Sequence, residues 1–291
     1  MKPPPFRYFR PRSLEEALAQ LEREEAKPLA GGQSLIPAMN FRLASPGALV
    51  DLNEVQELAG ISDANGTVRI GAMTRHAAVE RDARIANRVP LLRETMPHIA
   101  HPQIRSRGTI GGSLAHADPA AELPAVILAL DASLVIRSTG GERRVEAGDF
   151  FTGLFATALE PGELVTAVEV PAAPARTGWA FEEFARRHGD YALVGVAVRV
   201  TLDPKGRCES CRIVLLSVGD GPVMARSAMR SLEGVDLAPD AIREAADRAG
   251  SADIDPPADI HASAVYRRQL ARVLTRRALT RAAARASETR Q

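Results

Sequence analysis

Apolar and polar positions alternate in short runs along the whole chain, and these runs predict strands interspersed with helices. Ser13 and Glu16 form a capping box, and the apolar residues that follow at helical spacing predict a first helix to about Glu25. Asn65-Gly66 stands between two apolar runs, which predicts a β-hairpin. Thr74 is predicted to cap the next helix. This mixture of elements predicts an α+β protein.

The pattern changes after residues 171–175, a stretch rich in proline and alanine that has the composition of a linker. Beyond this stretch, two strands are predicted between residues 191 and 218. A long arginine-rich helix is then predicted over about 261–284. We therefore expect two domains, residues 1–174 and residues 175–291.

Two glycine-rich stretches are the most informative local features of the sequence. Paired glycines let the backbone approach a ligand closely and turn its amides toward an anion. Either stretch alone is typical of a tight turn, whereas two together suit a diphosphate held from both sides. The first stretch contains Ala30, Gly31, Gly32, Gln33 and Ser34, and the second contains Thr109, Ile110, Gly111, Gly112 and Ser113.

Neither stretch matches the common nucleotide-binding fingerprints. The chain has no G-x-G-x-x-G with an acidic residue downstream and no G-x-x-x-x-G-K-[ST], which argues against a Rossmann domain and a P-loop. Residues 101–112 are polar and contain glycine, so we expect an extended loop there. Ser34 is placed to start a helix whose N-terminal amides attract phosphate.

Composition and charge narrow the classes of function. With 45% hydrophobic and 25% charged residues, the chain is an ordinary globular protein. Lysine plus arginine number 37 and aspartate plus glutamate 36, a balance that disfavours a dedicated nucleic-acid binder. We find no apolar run of roughly 20 residues and no signal-peptide core. We therefore expect a cytoplasmic protein, and peripheral attachment at the inner membrane face stays open.

The residue types that usually ligate metals are sparse. The two cysteines, Cys208 and Cys211, cannot hold an iron–sulfur cluster, which takes four thiolates, so any cluster must lie on another chain. They enter a predicted strand, where positions three apart face opposite sides, and we expect ordinary thiols. His98, His101 and His116 lack partners at standard ligand spacing, so we predict no metal site.

Two charged segments allow more than one interpretation. Asp118 is placed to cap the helix that follows, with Glu122 in its first turn. The alternative is that these carboxylates accept hydrogen bonds from ligand hydroxyls, and spacing alone favours capping. The arginines of the last helix suggest a solvated face, and a contact surface for another subunit is the alternative.

The two glycine stretches, with Leu35 and the HADPAAELP sequence after the second, resemble the FAD-binding medium subunit of molybdenum hydroxylases. This is the family of aerobic carbon monoxide dehydrogenase and xanthine dehydrogenase. The resemblance covers almost the whole chain, and includes the opening YFRPRSLEEAL, residues 189–195 and residues 266–268.

The resemblance implies a two-part FAD-binding domain of the vanillyl-alcohol-oxidase (PCMH) type, with subdomains of about residues 1–57 and 58–174. A smaller C-terminal α+β domain with a three-stranded sheet would follow. The glycine stretches would hold the FAD diphosphate, and Asp118 and Glu122 would meet ribityl or ribose hydroxyls. The implied cofactor-binding set is Ala30, Gly31, Gly32, Gln33, Ser34, Leu35, Ile99, Thr109, Ile110, Gly111, Gly112, Ser113, Asp118, Glu122, Leu164 and Tyr191.

Within this set, Ile99 would pack near the isoalloxazine, and Tyr191 would supply the aromatic ring beside it. In such enzymes, a molybdenum–pterin centre on a large subunit oxidises the substrate. Electrons then pass through [2Fe–2S] clusters on a small subunit to FAD and on to a terminal acceptor. The resemblance therefore implies an electron-transfer subunit in a dimer of heterotrimers, with no catalytic residue for the reducing substrate on this chain.

Two alternatives stay open at this point. One is a stand-alone flavin oxidoreductase with the same FAD-binding fold, resembling the reductase of a cell-wall precursor. The other is an assembly subunit that has lost FAD, which the intact glycine stretches argue against. The reducing substrate (carbon monoxide, an aldehyde or an N-heterocycle) and the terminal acceptor (a quinone, oxygen, NAD or another carrier) are not readable from this chain.

Overall fold

The computed structural model describes residues 1–23 and 25–288, so the predicted domain limit at residue 291 lies outside the described residues. The strands are β1 (Arg7–Phe9), β2 (Ala26–Leu29), β3 (Ala48–Asp51), β4 (Ile61–Ala64), β5 (Thr67–Gly71), β6 (Ser133–Ser138), β7 (Gly141–Glu146), β8 (Phe151–Gly153), β9 (Ala156–Thr157), β10 (Leu164–Pro171), β11 (Thr177–Phe184), β12 (Val194–Leu202), β13 (Cys208–Leu216) and β14 (Val223–Met224).

The helices are α1 (Leu14–Leu21), α2 (Leu35–Asn40), α3 (His76–Arg81), α4 (Ala83–Arg88), α5 (Pro90–Thr95), α6 (Pro102–Arg105), α7 (Ile110–His116), α8 (Glu122–Ala129), α9 (Ala147–Phe150), α10 (Arg226–Leu232), α11 (Pro239–Ser251) and α12 (Ala264–Glu288). Short 3-10 helices lie at Leu52–Glu54, Gln56–Leu58 and Met96–His98. Over the described ranges, no helix is both long and apolar enough to span a bilayer.

The N-terminal part is a parallel three-stranded sheet in the order β1-β3-β2, with α1 and α2 in the connections. Helix α1 ends at Leu21, before the predicted limit. The Ser13 hydroxyl accepts from the Glu16 amide as the capping box predicts. The Glu16 carboxylate, however, accepts from the Arg12 amide at 2.9 Å. The first glycine stretch lies directly after β2, so this sheet presents it at a strand end.

The next part is an antiparallel five-stranded sheet in the order β4-β5-β10-β6-β7. The hairpin around Asn65-Gly66 is confirmed: β4 pairs with β5, and both turn residues have positive φ, 54° and 77°. The predicted cap at Thr74 is wrong. Its hydroxyl lies 3.0 Å from the carbonyl oxygen of Gly60, and α3 begins after Arg75. Thr74 therefore bonds to Gly60, 14 residues earlier in the chain, and does not cap the helix as the local sequence pattern predicted.

The C-terminal part contains a sheet in the order β11-β12-β13-β14, three long strands and a two-residue fourth. Strand β11 was not predicted, because Glu182 and Glu183 interrupt its apolar pattern. Both carboxylates find partners across the fold, Glu182 with Arg281 at 2.7 Å and Glu183 with His98 at 3.2 Å. Ion pairs with distant residues therefore stabilise β11, although its apolar–polar alternation does not predict a strand.

Both faces of the C-terminal sheet are buried. One face contributes Phe181, Val214 and Leu216 to the main core beneath the five-stranded sheet and its helices. The opposite face packs on α10, α11 and α12. The two predicted domains therefore share a continuous apolar core, which holds the segment between β11 and β12 in a defined place against the N-terminal domain.

The cysteine prediction needs correction. Cys208 pairs with Leu202 and Cys211 with Val200, because a β-bulge inserts an extra residue between them. Both thiols therefore face the same side, are buried, and hydrogen-bond to each other. This hydrogen bond lowers the pKa of Cys208 and, together with burial, raises that of Cys211.

Candidate cofactor-binding site

The first glycine stretch leaves its backbone donors free. Gly32 has a φ of +74°, and Ser34 has helical angles but makes no side-chain cap. The amides of Gly32, Gln33 and Ser34 donate to no other atom of residues 1–23 and 25–288. A left-handed residue followed by helical backbone turns successive N–H groups to one side and forms an anion-binding concavity. This arrangement suits a diphosphate.

The second glycine stretch is the first turn of a helix, so the expectation of an extended loop there is wrong. Thr109 is the N-cap of α7, and its hydroxyl accepts from the Gly112 amide at 3.1 Å. The amides of Ile110 and Gly111 donate to the carbonyls of Thr74 and Ala72. Glycine disfavours helices, but a Cβ on Gly111 would overlap Ala72, so the close approach requires it.

The two glycine stretches touch each other, although Ser34 at the end of the first and Thr109 at the start of the second are far apart in the sequence. A Cβ on Gly31 would overlap the carbonyl oxygen of Arg107, and one on Gly112 would lie 3.3 Å from Ala30 Cβ. The missing side chains therefore allow two backbone segments to form one wall.

A polar bridge holds this wall from one side. Asn53 donates to the carbonyl of Ala30 at 3.1 Å. Arg75 donates both to the Asn53 side-chain oxygen and to the carbonyl of Arg107. One arginine thus links the first stretch, through Asn53, to the residues that precede the second. Neither Asn53 nor Arg75 was predicted as a site residue, because each acts through a hydrogen-bond partner that is distant in the sequence.

Helix α7 leads from the second stretch to a group of carboxylates. Its seven residues span roughly 10 Å. Beyond it, Asp118 accepts from the Ala120 amide at 2.9 Å, and the N-cap of α8 is Ala121. The prediction that Asp118 caps α8 is therefore wrong, because the helix begins one turn later. Glu122 lies in the first turn of α8, as predicted.

Glu122 lies in a buried ionisable cluster. Burial, followed by the charge of Glu183, raises the pKa of Glu122 to about 7. His98 Nδ1 lies 3.2 Å from Glu183 Oε1, and this hydrogen bond raises the pKa of His98. Glu122 is therefore poised to carry a proton near neutral pH, whereas an ordinary surface glutamate is ionised there.

Tyr191 reaches this cluster from the C-terminal part. It follows β11 and remains 70% exposed. Partial desolvation and the charges of Asp118 and Glu122 raise its pKa. An exposed aromatic ring beside two carboxylates is suited to pack on a planar ligand. The structure therefore brings Tyr191 close to Asp118 and Glu122, which lie far from it in the sequence.

Comparison with known proteins identifies the chain. Residues 4–173 match the family of the FAD binding domain in molybdopterin dehydrogenase. Residues 179–282 match the carbon monoxide dehydrogenase flavoprotein C-terminal domain. The chain belongs to the FAD-binding medium subunits of the molybdenum hydroxylases. This assignment confirms the predicted fold class, a PCMH-type FAD-binding domain followed by a flavoprotein C-terminal domain.

Relatives of this medium subunit match over the full length. The 6-hydroxypseudooxynicotine dehydrogenase complex subunit alpha of Paenarthrobacter nicotinovorans is 45% identical, covering 100% of this chain and 99% of the relative. The carbon monoxide dehydrogenase medium chain of Afipia carboxidovorans is 43% identical, covering 98% and 99%. A carbon monoxide dehydrogenase of Hydrogenophaga pseudoflava that lacks the Mo-pyranopterin moiety superposes with a TM-score of 0.95 at 40% identity, covering 98% and 99%.

The residues of this medium subunit fit FAD. Three free amides of the first stretch suit the diphosphate, and the carboxylates beyond α7 suit the hydroxyls of an extended dinucleotide. Ile99 is buried in the main core and directly follows His98 in the sequence. Leu164 is buried in a separate N-terminal cluster, against which Ala30 also packs. The structure thus places Ile99 and Leu164 in different clusters of the molecule.

The predicted solvated face of the last helix is wrong for several arginines. Arg267 is 5% exposed and pairs with Asp259. Arg281 contacts Glu94 of α5 at 2.5 Å, which ties α12 to the FAD-binding part. Arg268 donates to the carbonyl of Ser251 at 2.9 Å. Composition alone cannot reveal these partners, since they lie on other elements.

The histidines find non-metal partners. His98 pairs with Glu183, and the rings of His116 and Phe155 lie 5.2 Å apart. The ring of His101 packs against Gly189, where any Cβ would overlap it. The part of the chain that the structure describes contains no group of three or more histidine, cysteine or acidic residues arranged to hold a metal ion.

Proposed function

We propose that this medium subunit holds FAD across the wall formed by its two glycine stretches, with the isoalloxazine toward Glu122 and Tyr191. The close approach of Gly112 to Ala30 carries this proposal, since it joins two stretches distant in sequence into one binding surface. The binding residues we assign are those implied by the family resemblance, from Ala30 to Tyr191.

Each part of the site has a distinct task. The amides of Gly32, Gln33 and Ser34 donate to the diphosphate, and the Asp118 carboxylate accepts from ribityl or ribose hydroxyls. The Glu122 carboxyl group holds or releases a proton near neutral pH beside the ring. When bound, FAD supplies the redox chemistry by taking up electrons and passing them on. The protein binds, orients and tunes the cofactor.

The proposed partners follow from the division of tasks in this family. A small subunit with [2Fe–2S] clusters would deliver electrons, and a large subunit with a molybdenum–pterin cofactor would oxidise the substrate. We propose a dimer of heterotrimers in the cytoplasm. The two cysteines, both in one buried pair, agree with clusters carried by another chain. Molybdenum and iron should therefore co-purify with the native complex.

The diphosphate contact is tested by placing a charge at Gly32. Gly32→Asp and Gly32→Asn have the same size and the same strain at φ +74°, and only aspartate adds a negative charge. We expect Gly32→Asp to weaken FAD binding at least tenfold more than Gly32→Asn, measured by titrating the flavin-free complex with FAD.

A second glycine controls for backbone strain. Gly234 has a φ of +73°, and a Cβ there would meet open space. Gly234→Asp should therefore leave FAD affinity unchanged. Equal FAD affinities for Gly32→Asp and Gly32→Asn would contradict a diphosphate at the first glycine stretch.

A further inference from the structure

Ser217 joins the two sides of the proposed cofactor site. It follows the last residue of β13 and has a φ of +61°, which is unusual for a residue other than glycine. Its amide donates to the carbonyl of Pro119 at 2.9 Å, next to Asp118. Its hydroxyl donates to the carbonyl of Ala192 at 2.7 Å, next to Tyr191. One strained residue therefore contacts the neighbours of two predicted site residues.

Arg267 holds the same junction from α12. Its guanidinium donates to the carbonyls of Leu193 and Ser217, the latter at 3.1 Å. It also pairs with Asp259 Oδ2 at 2.7 Å. Arg267 is only 5% exposed. A planar guanidinium can donate in several fixed directions at once, whereas a lysine ammonium on a flexible stem cannot reproduce this geometry.

A buried arginine with these partners restricts two backbone segments at once. Burying a charge is costly unless it is paired and hydrogen-bonded. Here two backbone carbonyls accept from Nη1 and the Asp259 carboxylate accepts from Nη2, while Nε has no partner among the described residues. Ala192 and Leu193 are 4% and 7% exposed, while the adjacent Tyr191 is 70% exposed. The orientation of the tyrosine therefore depends on a backbone that Arg267 and Ser217 hold from beneath.

We propose that Arg267 and Ser217 are positioning residues that fix Tyr191 against the cofactor, and we call this pair the Arg267–Ser217 latch. The proposal rests on the proposed function, because it takes Tyr191 to lie beside the flavin ring. Through Arg267, a hydrogen bond joins residues 266–268 to residues 189–195, the segment that contains Tyr191. The latch connects the C-terminal part to the site without touching FAD.

The test is a double-mutant cycle on the FAD-loaded complex. Tyr191→Leu, Arg267→Met and their combination are compared for FAD affinity and flavin reduction potential. We expect either single substitution to weaken FAD binding about tenfold and to shift the potential in the same direction. In the double variant, Arg267→Met should cause no further change in FAD affinity or potential, because Arg267 acts only through the Tyr191 ring.

Three further variants separate positioning from general stability. Arg268 donates to Ser251 and Ile254 and pairs with Asp255, so it makes similar contacts on the same helix away from Tyr191. Arg268→Met should lower Tm and leave the flavin potential unchanged. Arg267→Lys should restore Tm more than it restores the potential. Ser217→Gly keeps the backbone angle and should shift the potential even if Arg267→Met fails to fold.

The outcomes are decisive in each direction. The latch is supported if Arg267→Met or Ser217→Gly shifts the flavin potential non-additively with Tyr191→Leu. It is overturned if these variants lower only Tm, or if their effects add fully to those of Tyr191→Leu. An unchanged FAD affinity and flavin potential in Tyr191→Leu would also overturn it, since Tyr191 would then have no effect on the cofactor for the latch to control. The comparison of Gly32→Asp with Gly32→Asn separately tests FAD binding.

Discussion

The two glycine stretches look alike in sequence and differ in what their backbone does. In the first, the amides of Gly32, Gln33 and Ser34 stay free. In the second, the amides of Ile110, Gly111 and Gly112 all donate within the protein. The first stretch therefore offers donors to a ligand, while the second uses glycine to let α7 approach Ala72. Similar motifs can thus serve binding and packing.

The largest expected effect follows from the packing role of Gly111. In Gly111→Ala, the new Cβ would overlap Ala72, so we expect the free energy of unfolding to fall by about 3 kcal/mol. Gly140→Ala is the matched control, because its Cβ would lie 3.5 Å from the Ser138 hydroxyl. Chemical denaturation measures both. Equal stabilities for the two variants would show that the second stretch does not need glycine for packing.

An acid effect is expected from His76, which lies beneath the second stretch. Burial lowers its pKa to about 4, from about 6.5 in the unfolded chain. The unfolded state therefore binds more protons between pH 6.5 and pH 4, and stability falls as pH falls through this window. We expect a loss of about 2 kcal/mol between pH 7 and pH 5 that His76→Leu removes.

The measurement for His76 is the slope of unfolding free energy against pH, compared between the parent chain and the variant. The absolute stability of His76→Leu is not the readout, because the substitution also changes packing. An acid slope in His76→Leu as steep as that of the parent chain would contradict a buried neutral imidazole.

The smallest expected effects come from the hydroxyls of two helix N-cap residues, Thr109 before α7 and Ser34 before α2. Thr109 accepts from the Gly112 amide, so Thr109→Val should lower the unfolding free energy by about 1 kcal/mol. Ser34 makes no such cap. We predict that its hydroxyl donates to the diphosphate beside the backbone amides, so Ser34→Ala should leave stability unchanged and reduce FAD affinity. Thermal unfolding and FAD titration, run on both variants, separate the two roles. If Ser34→Ala lost stability and Thr109→Val did not, Ser34 and not Thr109 would be the residue that caps its helix.

Local patterns predicted much of the fold because the interactions behind them are local. The Asn65-Gly66 hairpin depends on two adjacent residues that tolerate positive φ. Glu122 was placed correctly in a first turn for the same reason. Elements that depend on distant partners were missed or misplaced: β11 with its two glutamates, the bulge between the cysteines, and the helical start at Ile110.

The amino-acid sequence by itself determined the family, the two glycine stretches and the α+β character of this medium subunit, since each resides in short runs of residues. Only the tertiary structure decided which amides remain free and which residues hold Tyr191. Hydrogen-bond satisfaction and close approach are properties of atoms brought together by folding. Ala72 beside Gly111, and Arg267 beneath Leu193, are neighbours that no spacing along the chain reveals.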